Sequence, residues 1–453
     1  MRTAYSVVRS PGIGYRVSGI ESRTPRPKPR DPSPGTQGPR PERRLLRLVL
    51  AALSVLVSLL IAEAGFRVFW VKRWTVSAGI EDPHYHHRLK PSTTYHYTSK
   101  EFDVHITTNR FGLRGKEPSA IVSRDTVRVL MLGDSFTFGF PVRDEETFAY
   151  LTGEHLNERG FPVEVVNAGV SSYSPTLHYI SLRDDFLEFH PDAVILWYDW
   201  GDLRDDYWYQ KNLIFDEDGR ILRCDPQYTY GRFSRWEWIQ NRSALAKYIH
   251  TKGVRTFQKI RILGLAGYLR AKLAGETAKV AIARLKAREE GREAVHAVLD
   301  NDRLLLLRDG GTAESLKAYW AVSEKYILMI RDLLHEHGIP LLIGIYPYGV
   351  NVGPDEWSEG RTSFGFEKGK VYEARGALEL FEDFSRRSGI PLINSFEGMR
   401  RAGQTEALFY AWDGHLNPAG HRALAQCVAG DPVLLNVLEA AFKKKAPDRP
   451  GPF

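Results

Sequence analysis

Cysteine is scarce in this chain, which has only Cys224 and Cys427 among its 453 residues. Two cysteines exclude a disulfide-dense scaffold, and these two can pair only if the fold brings them together. The sequence also lacks CxxC and comparable zinc-binding spacings. We expect neither a metal nor an organic cofactor.

Acidic residues are scarce at the N-terminus, where residues 1–44 contain ten Lys/Arg and only three Asp/Glu. This tail accounts for the whole formal net charge of +7, because residues 45–453 contain 52 residues of each sign. The total charge therefore indicates no basic folded face, and we expect no nucleic-acid partner. Eight of the 25 prolines lie in the tail, and its low apolar content predicts disorder.

A long apolar run follows the tail and reads LLRLVLAALSVLVSLLIA over residues 45–62. About 20 helical residues cross a hydrocarbon core, so we predict a transmembrane helix over 45–66. A cleaved signal peptide or a buried helix is the alternative, but the long preceding tail favours an uncleaved anchor. Arg43 and Arg44 predict that the tail lies inside and the body outside.

Residues 67–120 are predicted to be a linker and lead-in segment that packs irregularly on the main domain. Its alternating FDVHITT sequence indicates one strand. His84, His86, His87 and His96 also lie here, but they have neither a fixed i, i+4 pair nor a carboxylate partner. The pattern therefore gives little support to a metal site.

From residue 121 short apolar runs alternate with helical stretches. The runs at 127–132, 163–167, 192–198, 340–346 and 391–394 are typical of strands buried on both faces. Helices are predicted at 145–158, 174–189, 313–337 and 375–388. The pattern predicts a three-layer α/β/α domain over 121–430 with a mostly parallel sheet, followed by a C-terminal helix and tail at 431–453.

A helical insertion is predicted at about 207–312, and its window 245–298 contains twelve Lys/Arg and four Glu. A helical cap with a solvated charged face is the simplest interpretation. Contact with anionic lipid headgroups or an acidic polymer is the alternative. An aromatic stretch, YWYQ…YTYGRFSRWEWIQ, precedes this window.

The segment VLMLGDSFTFG at 129–139 combines a buried strand with a polar turn. Such a turn exposes the hydroxyl of Ser135 at the sheet edge and directs backbone N–H groups towards a developing oxyanion. A serine needs a base, and WDGHLNPAGH at 412–421 offers His415 with Asp413. Asn417 and Pro418 are predicted to begin a helix there. His415 would remove the Ser135 proton, and Asp413 would orient the imidazole.

The blocks GDSFTFG, NAGVSSYS and DGHLNPAGH, in this order, resemble those of the SGNH (GDSL-like) hydrolase superfamily. The resemblance implies a flavodoxin-like α/β/α fold and ester hydrolysis or acyl transfer. It implies that Ser135 is the nucleophile, with Asp413 and His415 as the acid–base pair. The Ser135 N–H and the Gly169 N–H would form the oxyanion hole. The lead-in TTNRFGLRG resembles that of membrane-anchored bacterial members.

The chain departs from the family pattern in two places. Gly201, in YDWGDLRDD, stands where an oxyanion-binding Asn is usual, and losing such a donor costs about 10²–10³ in rate unless another replaces it. Asp199 and Asp202 are expected to be structural or to bind substrate, and Asp134 and Asn167 in the other blocks have the same two interpretations. The single residue between Asp413 and His415 resembles proteins of bacterial polysaccharide O-acetylation, including alginate acetylation proteins.

These features predict a membrane-anchored serine esterase or O-acetyltransferase that acts on acylated cell-surface carbohydrate, with a membrane acyl donor as a partner in the case of transfer. The expected location is the bacterial inner membrane, which residues 45–66 cross once, with the N-terminus cytoplasmic and the catalytic domain periplasmic. A lipase or thioesterase on the same scaffold is the first alternative. A catalytically degraded protein that binds polysaccharide or assembly partners is the second.

Overall fold

The computed structural model describes residues 41–69, 79–226, 304–308 and 313–445, together with 243, 245, 260, 264–270 and 273. The chain divides into two compact units, Met1–Leu60 and Ile61–Phe453. The first described element is helix α1 (Pro41–Phe69). Within the described part of the chain, one helical stretch, Leu45–Gly65, is long and apolar enough to cross a membrane.

The strands of the second unit fall into one central sheet and three hairpins. In chain order they are β1 (Gly79–Asp82), β2 (His86–Leu89), β3 (Thr94–Thr98), β4 (Asp103–Thr107), β5 (Val127–Gly133), β6 (Val163–Gly169), β7 (Ala193–Trp197), β8 (Leu213–Phe215), β9 (Ile221–Cys224), β10 (Leu341–Ile345) and β11 (Leu392–Asn394). The central sheet has the order β11-β10-β7-β5-β6. All of its pairings are parallel. The antiparallel hairpins are β1–β2, β3–β4 and β8–β9.

Helices cover both faces of the central sheet and give three layers. After α1 they are α2 (Ser135–Phe138), α3 (Phe148–Glu158), α4 (Pro175–Asp184), α5 (Asp202–Tyr209), α6 (Ala313–Glu336), α7 (Gly349–Val352), α8 (Arg375–Ser388), α9 (Phe396–Ala402), α10 (Pro418–Ala429) and α11 (Pro432–Lys445). Short 3-10 helices lie at Asp144–Glu146, Phe186–Phe189, Gln210–Asn212, Leu305–Leu307 and Arg361–Phe364. Helices α3, α10 and α11 pack together on one side of the sheet, and α4, α5, α6 and α8 pack on the other.

The sheet is buried on both faces, which explains why its strands are almost uninterrupted apolar runs. Every residue of β5, β7 and β10 is buried. Tight packing also requires a glycine at position 344, because a Cβ on Gly344 would lie only 2.4 Å from Cε3 of Trp197. The central strands therefore form the rigid base from which the loops at their carboxyl ends emerge.

The five predicted core strands are confirmed, and the predicted helices correspond to α3, α4, α6 and α8, with ends shifted by a few residues. The lead-in segment is more regular than predicted, because it forms the two hairpins β1–β2 and β3–β4. Most of the insertion, including its basic window and much of the aromatic stretch, lies outside the described residues. Cys224 and Cys427 are both free thiols, and Cys224 is buried.

A buried arginine of the lead-in segment joins it to the loop after α2. The Arg114 side chain is almost fully buried, with 1% of its surface exposed, and its Nε donates to Asp144 at 2.9 Å. Its guanidinium also donates to the carbonyl oxygens of Phe138, Gly139 and Val142. Because these carbonyls have no regular strand or helix partner in the loop, Arg114 holds the chain just beyond Ser135 in place.

We expect Arg114→Ala to destabilise the protein by about 3–5 kcal/mol, because it leaves a carboxylate and several carbonyl oxygens without their buried cation. Arg110→Ala is the matched control. Arg110 pairs with Glu117 with 60% of its side chain exposed, and exposed pairs contribute at most about 1 kcal/mol. Urea denaturation of the full chain in detergent, followed by tryptophan fluorescence, measures both. Equal losses for the two variants would contradict the role given to Arg114.

Candidate active site

Ser135 is held at the carboxyl end of strand β5, between β7 and β6 in the sheet. Its neighbour Asp134 precedes α2 as the N-cap, and the Asp134 Oδ1 accepts a hydrogen bond from the Phe136 N–H at 2.9 Å. This cap turns the chain sharply from strand to helix, so Ser135 is the first helical residue and faces the pocket at the sheet edge. The polar turn predicted from the sequence is present.

His415 and Asp413 lie on the loop that leads into α10. Asn417 caps this helix by accepting the Gly420 N–H at 2.9 Å, and Pro418 is the first helical residue, as predicted. The loop closes on itself through the Tyr410 N–H, which donates to the His415 carbonyl oxygen at 3.0 Å. These local bonds give the two side chains a fixed direction.

The structure brings Ser135, His415 and Asp413 into one hydrogen-bonded line. The Ser135 Oγ lies 2.9 Å from Nε2 of His415, and Nδ1 of His415 lies 2.5 Å from Oδ1 of Asp413. An ionised carboxylate only accepts hydrogen bonds, so Nδ1 carries the proton. Nε2 is then free to accept the hydroxyl proton of Ser135, which is the arrangement a general base requires.

The electrostatics of the histidine and its aspartate reinforce each other. Burial alone would lower the pKa of His415, but the charge and hydrogen bond of Asp413 outweigh it and raise that pKa above its usual value. Burial would raise the pKa of Asp413, yet His415 holds it below its usual value. The pair therefore favours an ionised aspartate that stabilises an imidazolium as it forms.

Other buried acids, Asp134, Asp199 and Asp202, surround the turn. Burial and the charge of Asp199 raise the pKa of Asp134 to about 7. Burial and the same neighbour raise the pKa of Asp202 well above its usual value. The Tyr346 hydroxyl lies 3.3 Å from Asp134 and 3.2 Å from Asp199 and can donate to either one at a time, and the Tyr348 hydroxyl donates to Asp199. The tyrosines supply hydrogen bonds that offset burial of these carboxyl groups.

Asp134 also competes with the candidate base for the serine proton. Its Oδ2 lies 3.0 Å from the Ser135 Oγ, while Nε2 of His415 lies 2.9 Å from the same oxygen. A hydroxyl donates only one hydrogen bond at a time. Attack by Ser135 therefore requires its proton to point towards His415.

The Gly169 N–H, which the resemblance assigns to the oxyanion hole, and the N–H of Gly201, which stands at the usual Asn position, both have other partners. The Gly169 N–H donates to Oδ1 of Asn167 at 3.0 Å, and the Gly201 N–H donates to Oδ1 of Asp199 at 2.7 Å. A Cβ on Gly169 would lie 2.2 Å from the backbone nitrogen of Phe138. Both N–H groups are thus engaged within their own turns, and the Gly169 position allows β6 to approach α2 closely.

Ser172 is a further pocket residue that was not among those predicted from the sequence. It lines the pocket together with Ser135 and has a φ of 64°. Its carbonyl oxygen accepts the Tyr209 hydroxyl at 2.9 Å, and that of Ser171 accepts Nε2 of His87 at 2.8 Å. Among the described residues no hydrogen bond engages the Ser172 N–H. The left-handed backbone of this non-glycine residue is the feature that marks Ser172 as a candidate functional residue. The sequence alone does not reveal this backbone conformation.

Two further predicted residues, Asn167 and Asp202, lie beside the site as structural partners. The Asn167 side chain donates to the Thr137 carbonyl oxygen at 2.8 Å and so fastens β6 to α2. Asp202 accepts the Asp199 N–H at 3.1 Å. Neither Asn167 nor Asp202 lines the pocket, whereas Asp134 does.

The pocket in front of Ser135 has a volume of about 380 Å³, near the lower end of the range for ligand pockets. Its wall is largely aromatic, formed by Tyr97, Phe136, Phe140, Tyr348, Trp357 and Phe364. Asp413, Gly414 and His415 add a polar part to the lining. The arrangement suits a small polar group attached to a flat or ring-shaped partner.

The histidines of the lead-in segment serve other contacts. His84 and His96 each hydrogen bond to an aspartate, at 2.6 and 2.5 Å. Nδ1 of His86 lies 2.9 Å from Nδ1 of His87. Within the described ranges, no group of three or more His, Cys, Asp or Glu residues is arranged to hold a metal ion.

Comparison with known proteins gives matches only among solved structures. No family model matches the chain, and no curated protein matches it. The chain is similar to an acetyl xylan esterase (14% identity, 66% of this chain and 97% of that chain, TM-score 0.32). It is similar to TesA, with 12% identity over 68% of this chain and 99% of that chain and a TM-score of 0.33. It is also similar to a catalytic mutant of an acetylxylan esterase from Geobacillus stearothermophilus, with 12% identity over 68% of this chain and 96% of that chain and a TM-score of 0.31.

All three solved structures are at most 14% identical to this chain. At TM-scores of about 0.3 they carry no argument about what this chain does. The fold assignment rests on the parallel sheet and its flanking helices, and the assignment of the site rests on the geometry around Ser135.

The raised pKa of His415 predicts the pH dependence of ester hydrolysis. The base must be neutral, so kcat/KM should fall as pH drops through the His415 pKa, with a midpoint above the ordinary value of about 6.5. Asp413→Asn should lower kcat by about 10⁴-fold and move the midpoint to lower pH, because the charge that raises the pKa is removed.

The measurement is a pH–rate profile for p-nitrophenyl acetate. His335→Gln, which changes an exposed histidine near the end of α6, is the control and should leave the profile unchanged. A midpoint that stays fixed in Asp413→Asn would show that Asp413 does not control His415.

Proposed function

We propose that the chain is a serine esterase or O-acyltransferase of the SGNH type, with Ser135 as the nucleophile. The observation that carries this proposal is the line from the Ser135 Oγ to Nε2 of His415 at 2.9 Å and from Nδ1 to Asp413 at 2.5 Å. The order of the three side chains, the tautomer of His415 and the ionised state of Asp413 all match what base catalysis needs. A chance cluster of polar side chains has no reason to meet all three conditions.

The proposed reaction begins when His415 accepts the Ser135 proton and the Oγ attacks the ester carbonyl. The oxyanion that forms would receive the N–H groups of Ser135 and Ser172, both of which belong to pocket-lining residues. His415 would then give its proton to the leaving alcohol, which leaves an acyl group on Ser135. Water or a second alcohol takes the acyl group in the reverse sequence, with His415 again as the base.

An acetyl ester of a cell-surface carbohydrate is the substrate that the pocket supports best. The aromatic wall offers faces on which a sugar ring can stack, and Trp412 is half exposed beside Asp413. The small volume favours a short acyl group. The single residue between Asp413 and His415 adds the resemblance to polysaccharide O-acetylation proteins.

The proposed setting is a bacterial inner membrane crossed once by α1, with the N-terminus cytoplasmic and residues 79–445 outside. The length and composition of Leu45–Gly65 support the anchor, and Arg43 with Arg44 supports the orientation. If the chain transfers acyl groups, a membrane partner would supply them on this outer side.

One observation favours a second function, in which the domain binds polysaccharide but does not catalyse a reaction on it. The Gly201 N–H is occupied by Asp199, so the position that usually carries an oxyanion-binding Asn contributes no free donor. This alternative predicts an inert Ser135 in an otherwise assembled pocket.

We expect the full chain in detergent to hydrolyse p-nitrophenyl acetate. Ser135→Ala should lower kcat by about 10⁴-fold or more, because it removes the atom that forms the acyl-enzyme. Ser123→Ala, at an exposed turn, is the matched control and should retain full activity. Release of p-nitrophenol is followed by absorbance.

A series of p-nitrophenyl esters separates the remaining alternatives. The small pocket predicts a kcat/KM for acetate that exceeds that for octanoate by about tenfold or more. A preference for octanoate would instead indicate a lipase or thioesterase. Full activity in Ser135→Ala would rule out the assigned nucleophile.

A further inference from the structure

The turn between β3 and β4 reaches across to the loop that carries the candidate base. The Glu101 carboxylate lies in this turn and accepts two adjacent backbone N–H groups. Its Oε1 accepts the Trp412 N–H at 2.9 Å, and its Oε2 accepts the Asp413 N–H at 3.0 Å. One side chain of the lead-in segment thus holds the backbone at the residue that orients His415.

The turn that presents Glu101 is itself well fixed. The Ser99 Oγ accepts the N–H groups of Glu101 at 2.9 Å and of Phe102 at 3.2 Å. The Phe102 ring packs edge-on against Phe140 and Tyr410, with ring centres 5.7 and 5.4 Å apart. Phe140 in turn contacts the His415 ring, with centres 5.2 Å apart. The hairpin is therefore anchored by packing on the same group of side chains that surrounds the base.

A second contact from this turn reaches the side chain of Trp412 in the same loop. The Lys100 Nζ lies 3.0 Å from the centre of the Trp412 ring, close enough for a cation–π interaction. Trp412 is half exposed, so the protein core alone does not fix it. The two neighbouring side chains, Lys100 and Glu101, hold the Trp412 ring and backbone respectively.

We propose that Glu101 is a positioning residue for Asp413, an inference that rests on the function proposed above. Asp413 meets His415 through a single oxygen, Oδ1, which accepts both the Nδ1 proton and the His415 N–H. The direction of that oxygen depends on the Asp413 backbone, whose N–H Glu101 holds. A misplacement of about 1 Å in such an arrangement costs about 10²-fold in rate.

This role extends the catalytic unit into the lead-in segment. A domain boundary at residue 121 would separate Asp413 from a group that orients it. The lead-in hairpin is then part of the site, since it supplies both Glu101 and the pocket residue Tyr97.

The test uses the full chain in detergent, with Glu101→Ala, Glu101→Gln and the control Asp103→Asn. Asp103 lies on the same hairpin with 74% of its side chain exposed, and it pairs with His96. Glu101→Ala should lower kcat for p-nitrophenyl acetate by about 10- to 100-fold while KM changes by less than about threefold. Glu101→Gln keeps one accepting oxygen and should lose less. Asp103→Asn should stay within about twofold of wild type.

The pH profile distinguishes positioning from a general loss of stability. If Asp413 moves away from His415, the pKa of His415 falls, so the acid limb of kcat/KM shifts to lower pH in Glu101→Ala. A smaller folded fraction would lower the rate without moving the limb. If folded Glu101→Ala keeps the wild-type kcat and the wild-type acid limb of kcat/KM, the proposal is overturned. If the alanine variant does not fold, the same two measurements on Glu101→Gln decide the question.

A proton NMR measurement, which needs no enzymatic activity, tests the role of Glu101 independently of the proposed function. The proton between Nδ1 of His415 and Asp413 should give a low-field proton NMR signal that is absent in His415→Gln. In Glu101→Ala that signal should disappear or move upfield, and in Asp103→Asn it should remain. If the wild type hydrolyses no ester, the proposed function fails. The signal alone then decides whether Glu101 positions Asp413, and an unchanged signal would refute it.

Discussion

The hydrogen bond between Asp413 and Nδ1 of His415 determines what every other group in the site can do. Because the carboxylate accepts the Nδ1 proton at 2.5 Å, Nε2 is left as an acceptor, and it lies 2.9 Å from the Ser135 Oγ. Without this bond the imidazole could present a proton to the serine instead of taking one. The bond also raises the pKa of the histidine, which makes it a stronger base.

The fold supports this bond from three separate parts of the chain. Strand β5 ends at the turn that presents Ser135, and the cap at Asn417 fixes the loop of His415. The lead-in hairpin reaches the same loop through Glu101. A parallel sheet covered on both faces suits this task, because its core is rigid while the loops at its carboxyl edge remain available for chemistry.

Much of this architecture follows from local sequence patterns. Strands such as 127–132 and 192–198 are recognisable because burial on both faces requires continuous apolar residues. The Asn417–Pro418 helix start is recognisable because both residues have strong positional preferences. The positions of Ser135, Asp413 and His415 came from ordered blocks, which place them at loops but give no distances between them.

The features that were missed depend on contacts between distant parts of the chain. Glu101 and Trp412 are 311 positions apart, and Tyr348 meets Asp199 only because β10 lies beside β7. The sequence block predicts that the Gly169 N–H binds an oxyanion, but spacing does not show that Asn167 already accepts this N–H or that Asp199 accepts the Gly201 N–H. The left-handed backbone of Ser172 results from packing around its turn, to which no residue type points.

Reaction of the full chain with a fluorophosphonate tests the central claim, that the geometry makes Ser135 a nucleophile. Such reagents form a stable bond with an activated serine oxygen, and intact-mass and peptide mass spectrometry locate it. We expect about one adduct per chain, located on Ser135 and absent in Ser135→Ala. An unlabelled protein, or equal labelling in Ser135→Ala, would contradict the assignment of Ser135 as the nucleophile.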